Sequence, residues 1–101
     1  MAKKLIIWTK EARLDFKATL QFYNERNGSN DYSRKLAGEI FQIIEKLHNN
    51  FFLGKQTSDT DVRVLIKGTF SIFYEIKETE ILILVVWDTR RNPGELKKYV
   101  P

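Results

Sequence analysis

Residues 81–93 read ILILVVWDTRRNP. Ile81 to Trp87 form an unbroken apolar run rich in β-branched residues, which fits a strand buried on both faces and therefore internal to its sheet. Leu84, at its middle, is expected in the core. Asp88, Thr89, Arg90, Arg91 and Asn92 follow at once, and Pro93 stops regular structure. Two arginines thus leave the most rigid element of the chain.

Working outward, Val62–Lys67 and Phe70–Lys77 read as two more strands, joined by Gly68-Thr69 and followed by the short link Glu78–Glu80. Links this short make the three strands antiparallel neighbours. A two-residue loop would pair Lys67 with Phe70. A three-residue loop pairs Ile66 with Phe70, Val64 with Ile72 and Val62 with Tyr74, which gathers the apolar residues on one face, and this is the expected register. The opposite, open face then carries Arg63, Leu65, Ser71, Phe73 and Glu75.

Upstream, Lys4–Trp8 reads as a first strand ended by Thr9, a plausible helix N-cap. Ala12, Phe16, Thr19, Leu20 and Tyr23 recur at helical spacing, and Asn27-Gly28 closes that helix. Ser29, Asn30 and Asp31 offer a new cap. Tyr32, Leu36, Ala37, Ile40, Ile43, Ile44 and Leu47 mark a second amphipathic helix running to about Asn50, with His48 placed to complement its dipole. A three-residue connection makes the pair an antiparallel hairpin. Phe22 and Phe41 lie off the main stripes, and Phe51–Asp61 reads as a loop. The expected fold is α+β, β-α-α-β-β-β, with the helical hairpin packed on one face of an antiparallel sheet.

The chain has 101 residues, 43% hydrophobic and 30% charged, which suits one folded domain spanning residues 1–101. It has no cysteine, which excludes disulfides and thiolate metal sites, and one histidine. No apolar run approaches a membrane span or a signal-peptide core, so a cytoplasmic protein that does not enter membranes is expected. The net charge is +4. Arg90, Arg91, Lys97 and Lys98 face only Glu95 in residues 89–101, which leaves residues 1–88 nearly neutral. An anionic partner would be steered to the C-terminal end.

The order of these elements resembles the RelE/ParE superfamily of bacterial type II toxins across essentially the whole chain. The resemblance is carried by Trp8-Thr9 with Ala12, Asp15 and Phe16, by Leu47 before the loop, and by Val62-Arg63 leading into Phe70–Ile76. It is completed by the closing Asp88-Thr89-Arg90-Arg91-Asn92-Pro93. It implies a toxin neutralised by a cognate antitoxin. RelE-like members cleave mRNA on the ribosome without metal, whereas ParE-like members share the fold and inhibit DNA gyrase.

For metal-free cleavage the resemblance implies catalytic roles for Arg63, for Arg90 or Arg91, and for Tyr99; by charge and position, Lys67 in the hairpin turn and Lys97 and Lys98 in the basic C-terminal end are the expected contacts to substrate phosphates. Arginine suits the task because its planar fork holds a phosphate at two points. Ser71 stands where the resembling nucleases place an arginine. The expected activity is ribosome-dependent mRNA cleavage by a metal-independent endoribonuclease with no cofactor. The alternatives are a non-enzymatic gyrase inhibitor and an inactive member that only binds its antitoxin. Asp88 is read as closing an Asx-turn or as orienting an arginine.

Overall fold

The computed structural model describes residues 3–58 and 61–90. The elements run β1 (Leu5–Trp8), α1 (Lys10–Asn27), α2 (Asp31–Glu45), one 3₁₀ turn (Lys46–His48), β2 (Lys55–Gln56), β3 (Val62–Lys67), β4 (Phe70–Ile76) and β5 (Glu80–Asp88).

Local chemistry sets the helices. Thr9 accepts from the Ala12 N–H at 3.1 Å and so caps α1, and Gly28 ends it in the left-handed conformation at φ +70°. Ala12, Phe16, Thr19 and Tyr23 are buried, as their spacing requires. The start of α2 departs from expectation, because Asn30 makes no side-chain cap. Instead the Ser33 hydroxyl donates to the Asn24 side chain, tying the two helices together at their turn. The second helix also stops earlier than expected, at Glu45. His48 lies in the 3₁₀ turn, where its Nδ1 meets the Lys4 carbonyl at 2.8 Å, and the Lys4 N–H donates to the His48 carbonyl at 2.9 Å. His48 thereby fastens the start of β1.

The sheet order is β1-β5-β4-β3-β2. As its composition demands, β5 is internal, between β1 and β4. The sheet is mixed rather than purely antiparallel, because β1 runs parallel to β5, with Ile6 beside Ile81 and Trp8 beside Ile83. The expected loop at 51–61 contains the two-residue strand β2, paired with β3 at Arg63 and Val64.

The β3–β4 register corrects the expectation. Lys67 pairs with Phe70, Leu65 with Ile72 and Arg63 with Tyr74. Gly68 takes φ +59° and no described non-glycine residue, Thr69 included, has positive φ, which is the pattern of a two-residue turn with glycine first. Turn chemistry thus overrides the apolar count. The count misled because both faces of this sheet are apolar. Leu65, Ile72, Tyr74, Ile81 and Ile83 join the helices in the main core. Val62, Phe73 and Val85 form a second buried cluster on the other face, flanked by Val64, Leu84 and Trp87.

A bulge sits opposite Phe73/Tyr74, where Phe73 pairs with Val85 and Tyr74 with Ile83. Leu84 is the extra residue; it is partly buried and packs with the second cluster, on the face away from the helices. The bulge resets the alternation, so Val86 and Asp88 return to the helix side after Ile81 and Ile83. Without that extra residue, Asp88 would face away from the helices.

Candidate functional site

The exit of β5 is where the structure concentrates polar chemistry. Asp88 is buried at 4% exposure, so its carboxylate needs partners. Tyr23, on the core stripe of α1, donates its hydroxyl to Asp88 Oδ2. The Arg90 backbone N–H donates to Asp88 Oδ1 at 3.0 Å, which closes the expected Asx-turn. The Arg90 Nε lies 3.8 Å from the same oxygen. Asp88 therefore does both things proposed for it, closing the turn and orienting an arginine.

Arg90 is held from two further sides. Its Nη2 donates to the Tyr23 hydroxyl and to the Tyr32 hydroxyl, each at 2.9 Å. Its guanidinium carbon lies 5.3 Å from the centre of the Tyr23 ring. Tyr32 stands at the start of α2, and its ring meets Tyr23 edge-on at 5.1 Å. Thr89 ties the corner to the β3–β4 turn, donating its N–H and its hydroxyl to the Thr69 carbonyl at 3.0 and 2.8 Å. The Arg90 side chain remains half exposed. The outcome is a preoriented cation at the protein surface, fixed by two helices, the last strand and a hairpin turn.

The electrostatics follow from this packing. Burial pushes the Tyr23 hydroxyl above its ordinary pKa, and its hydrogen bond to Asp88 pushes the same way. The Tyr32 hydrogen bond raises Arg90, which stays a cation under all working conditions. A raised tyrosine pKa means that the folded state keeps a proton the unfolded chain gives up. This contribution to stability is whole below pH ~10, the unfolded tyrosine range, and is lost as pH climbs through the higher folded value. Tyr23→Phe is therefore expected to flatten the fall in stability above pH ~10 while leaving the neutral-pH hydrogen-bond loss in place. Urea titrations of both proteins between pH 8 and 11 measure it, and parallel pH profiles would contradict the assignment.

Of the residues expected in the site, Arg90 and Lys67 are brought together. Both line a cavity of about 350 Å³, shared with Tyr32, Lys35 and Glu39 on α2. Arg63 is not brought there. It pairs with Tyr74, whereas Phe70 pairs with Asp88, so four residues of β4 separate the two arginines' positions. That is ~13 Å at ~3.3 Å per residue. The register also turns Arg63 to the face it shares with Leu65 and Tyr74, so its expected place on the open face is corrected.

There Arg63 donates from Nε to the Gly54 carbonyl at 2.7 Å and lies 5.3 Å from the Phe52 ring centre. The Tyr74 hydroxyl completes the arrangement, donating to the Phe51 carbonyl at 2.7 Å and accepting from the Gly54 N–H at 2.9 Å. Together they pin the 51–54 loop to the sheet. Arg63→Ala is expected to cost ~1–2 kcal/mol, the worth of a charge-assisted hydrogen bond and a ring contact. Chemical denaturation measures it, and an unchanged midpoint would contradict the role.

Ser71 is buried at 7% exposure and pairs with Trp87. Among the described residues, the Trp87 indole Nε1 is buried without a hydrogen-bond partner. Arg91, Lys97, Lys98 and Tyr99 lie outside the described residues. Sequence reading missed the roles of Tyr23, Tyr32 and Lys35. The first two carried a signal, since tyrosine on a helix's core stripe brings a hydroxyl that needs a partner. Lys35 carried none.

The family described as the ParE toxin of the type II toxin-antitoxin system, parDE, matches residues 6–93. The chain belongs to the ParE toxin family. Its fold agrees. A solved structure described as the chromosomal ParDE TA system from P. aeruginosa superposes with a TM-score of 0.73 and 25% identity, covering 83% of this chain and 94% of that one. No curated protein matches the sequence significantly. The superfamily expected from the sequence is thus borne out, as is the helical hairpin followed by strands. As a ParE-family member the chain is the toxin of a type II system. No described helix is long and apolar enough to cross a membrane.

Proposed function

We propose that this ParE-family toxin acts by binding DNA gyrase rather than by cutting RNA, and that a cognate antitoxin neutralises it. The reading rests on the separation of Arg63 from Arg90. Cleavage of an RNA phosphodiester without metal needs groups that converge on one phosphate to assist the 2′-hydroxyl, neutralise the pentavalent phosphate and protonate the leaving oxygen. Arg63 is committed to the Gly54 carbonyl at one end of β4, and Arg90 to Tyr23, Tyr32 and Asp88 at the other. The third nuclease position is Ser71, buried beside Trp87. His48, the sole imidazole, is bound to Lys4 at the start of β1.

Binding asks less of the site. A fixed, half-exposed cation at Arg90, with Lys67 near it, gives a protein target a rigid charged anchor, and immobilised arginines dominate many interfaces. Arg91, Lys97 and Lys98 add positive charge to the same end of the sequence. ParE-like toxins, which the sequence resembles, act on gyrase, and that supplies the target.

Primer extension on mRNA from cells expressing the toxin without its antitoxin tests the non-enzymatic half. Growth arrest with no toxin-dependent stops inside codons is expected. Stops at defined A-site codons would overturn it in favour of the ribosome-dependent nuclease.

A further inference from the structure

We infer that Tyr32 is a positioning residue for the toxin's contact with its target, holding the Arg90 guanidinium in the plane in which its free end meets that target. The inference rests on the reading that Arg90 anchors the toxin on its target, and it adds a second residue that acts only through Arg90.

The core does not need Tyr32. The buried residues of α2 are Ser33, Leu36, Ile40 and Ile44, whereas Tyr32 is 38% exposed in the first turn. An exposed hydroxyl bonded to a half-exposed guanidinium adds little to stability, because water offers both groups comparable partners. The corner is also closed without it, since Asp88 already receives the Tyr23 hydroxyl and the Arg90 backbone N–H. What Tyr32 adds is geometry.

Nε beside Asp88 Oδ1 and Nη2 on the Tyr23 hydroxyl restrain the guanidinium at two points, about which its plane is still free to hinge. Nη2 carries two protons, and its second hydrogen bond goes to Tyr32, which approaches from α2 rather than α1. This third restraint, from a separate element, fixes the plane. Nη1 has no hydrogen-bond partner among the described residues, so both its protons are left for an acceptor on the target. Ordering one long side chain on binding weakens an interface roughly 2- to 12-fold. A hydroxyl that orders Arg90 in advance removes that loss.

The test is a double-mutant cycle of the parent, Tyr32→Phe, Arg90→Ala and Tyr32→Phe/Arg90→Ala toxins. Phenylalanine keeps the ring against Tyr23, with ring centres 5.1 Å apart, and deletes only the hydroxyl. Two quantities are read for each toxin: the concentration that halves supercoiling by purified gyrase, and the immunoblotted level that halves growth in cells without antitoxin. Tyr32→Phe is expected to melt with the parent and to need about fivefold more toxin on both measures. The double variant is expected to match Arg90→Ala alone. Tyr32→Phe as potent as the parent would overturn the inference, and so would Arg90→Ala as potent as the parent. A double variant about fivefold weaker than Arg90→Ala would also overturn it, because Tyr32 would then act on the target or on the fold by itself. Should the parent leave gyrase unaffected, the choice of gyrase fails, and the growth measurement alone decides the role of Tyr32.

Discussion

Asp88→Ala is expected to lower the unfolding free energy by ~3 kcal/mol. The carboxylate is almost wholly shielded from water, with a side-chain exposure of 1%, and it receives the Tyr23 hydroxyl and the Arg90 backbone N–H. Its removal leaves the buried Tyr23 without its acceptor and the Arg90 turn without its closure. It also takes the negative charge from beside a guanidinium held between two tyrosines. Asp88→Asn keeps the shape and an acceptor oxygen but not the charge, so its loss should be about half as large. Urea denaturation of the two variants beside the parent measures this. A parent-like midpoint for Asp88→Ala would mean that the corner is held by packing alone.

The second large effect is expected far from that corner. At Gly54 an added Cβ would lie 2.6 Å from the Val64 carbonyl oxygen and 2.9 Å from the Tyr74 ring and hydroxyl. The first of these is backbone in a paired strand and cannot move without breaking the β2–β3 ladder. Gly54→Ala should therefore cost ~3 kcal/mol, at the upper end of overpacking, because the loop must lift away. Lifting it also breaks the Gly54 N–H to Tyr74 and Arg63 to Gly54 bonds at 2.9 and 2.7 Å. Hydrogen exchange across residues 51–58 distinguishes local from global damage. Faster exchange confined to this segment and to β2 is expected, and parent-like protection there would contradict the packing account.

How much of this was legible in the sequence depends on the range of the interaction. Thr9 and Gly28 mark α1 because caps are local, and the Ile81–Trp87 run marks an internal strand because only a doubly covered strand is that apolar. The β3–β4 register was misread where alternation carries no information. Val64 and Ile66 on one face are as apolar as Leu65 on the other, and Phe73 is as deeply buried as Ile72. The better signal was the Gly68-Thr69 pair itself. The bulge at Leu84 cannot be seen inside an unbroken apolar run, yet it decides that Asp88 points at Tyr23. The parallel pairing of β1 with β5 joins residues some 75 positions apart, and nothing local announces it.

The candidate site was legible in outline. Arg90 and Lys67 were named for their charge and position, and they line one cavity. Arg63 is named from the family resemblance, and its place on the open face beside them rests on the mistaken register. Its actual partners, Gly54 and Phe52, lie in a stretch that reads as plain loop. That difference matters for function, because convergence of the two arginines was the main sequence argument for RNA chemistry.

The most direct measurement is therefore a supercoiling assay with purified DNA gyrase and the purified toxin. The account predicts that the toxin blocks supercoiling in proportion to its concentration. It also predicts that Arg90→Ala weakens the block by at least tenfold, while Arg63→Ala inhibits as the parent does at temperatures where it is folded. Gyrase that supercoils at its full rate in the presence of excess folded toxin would contradict it.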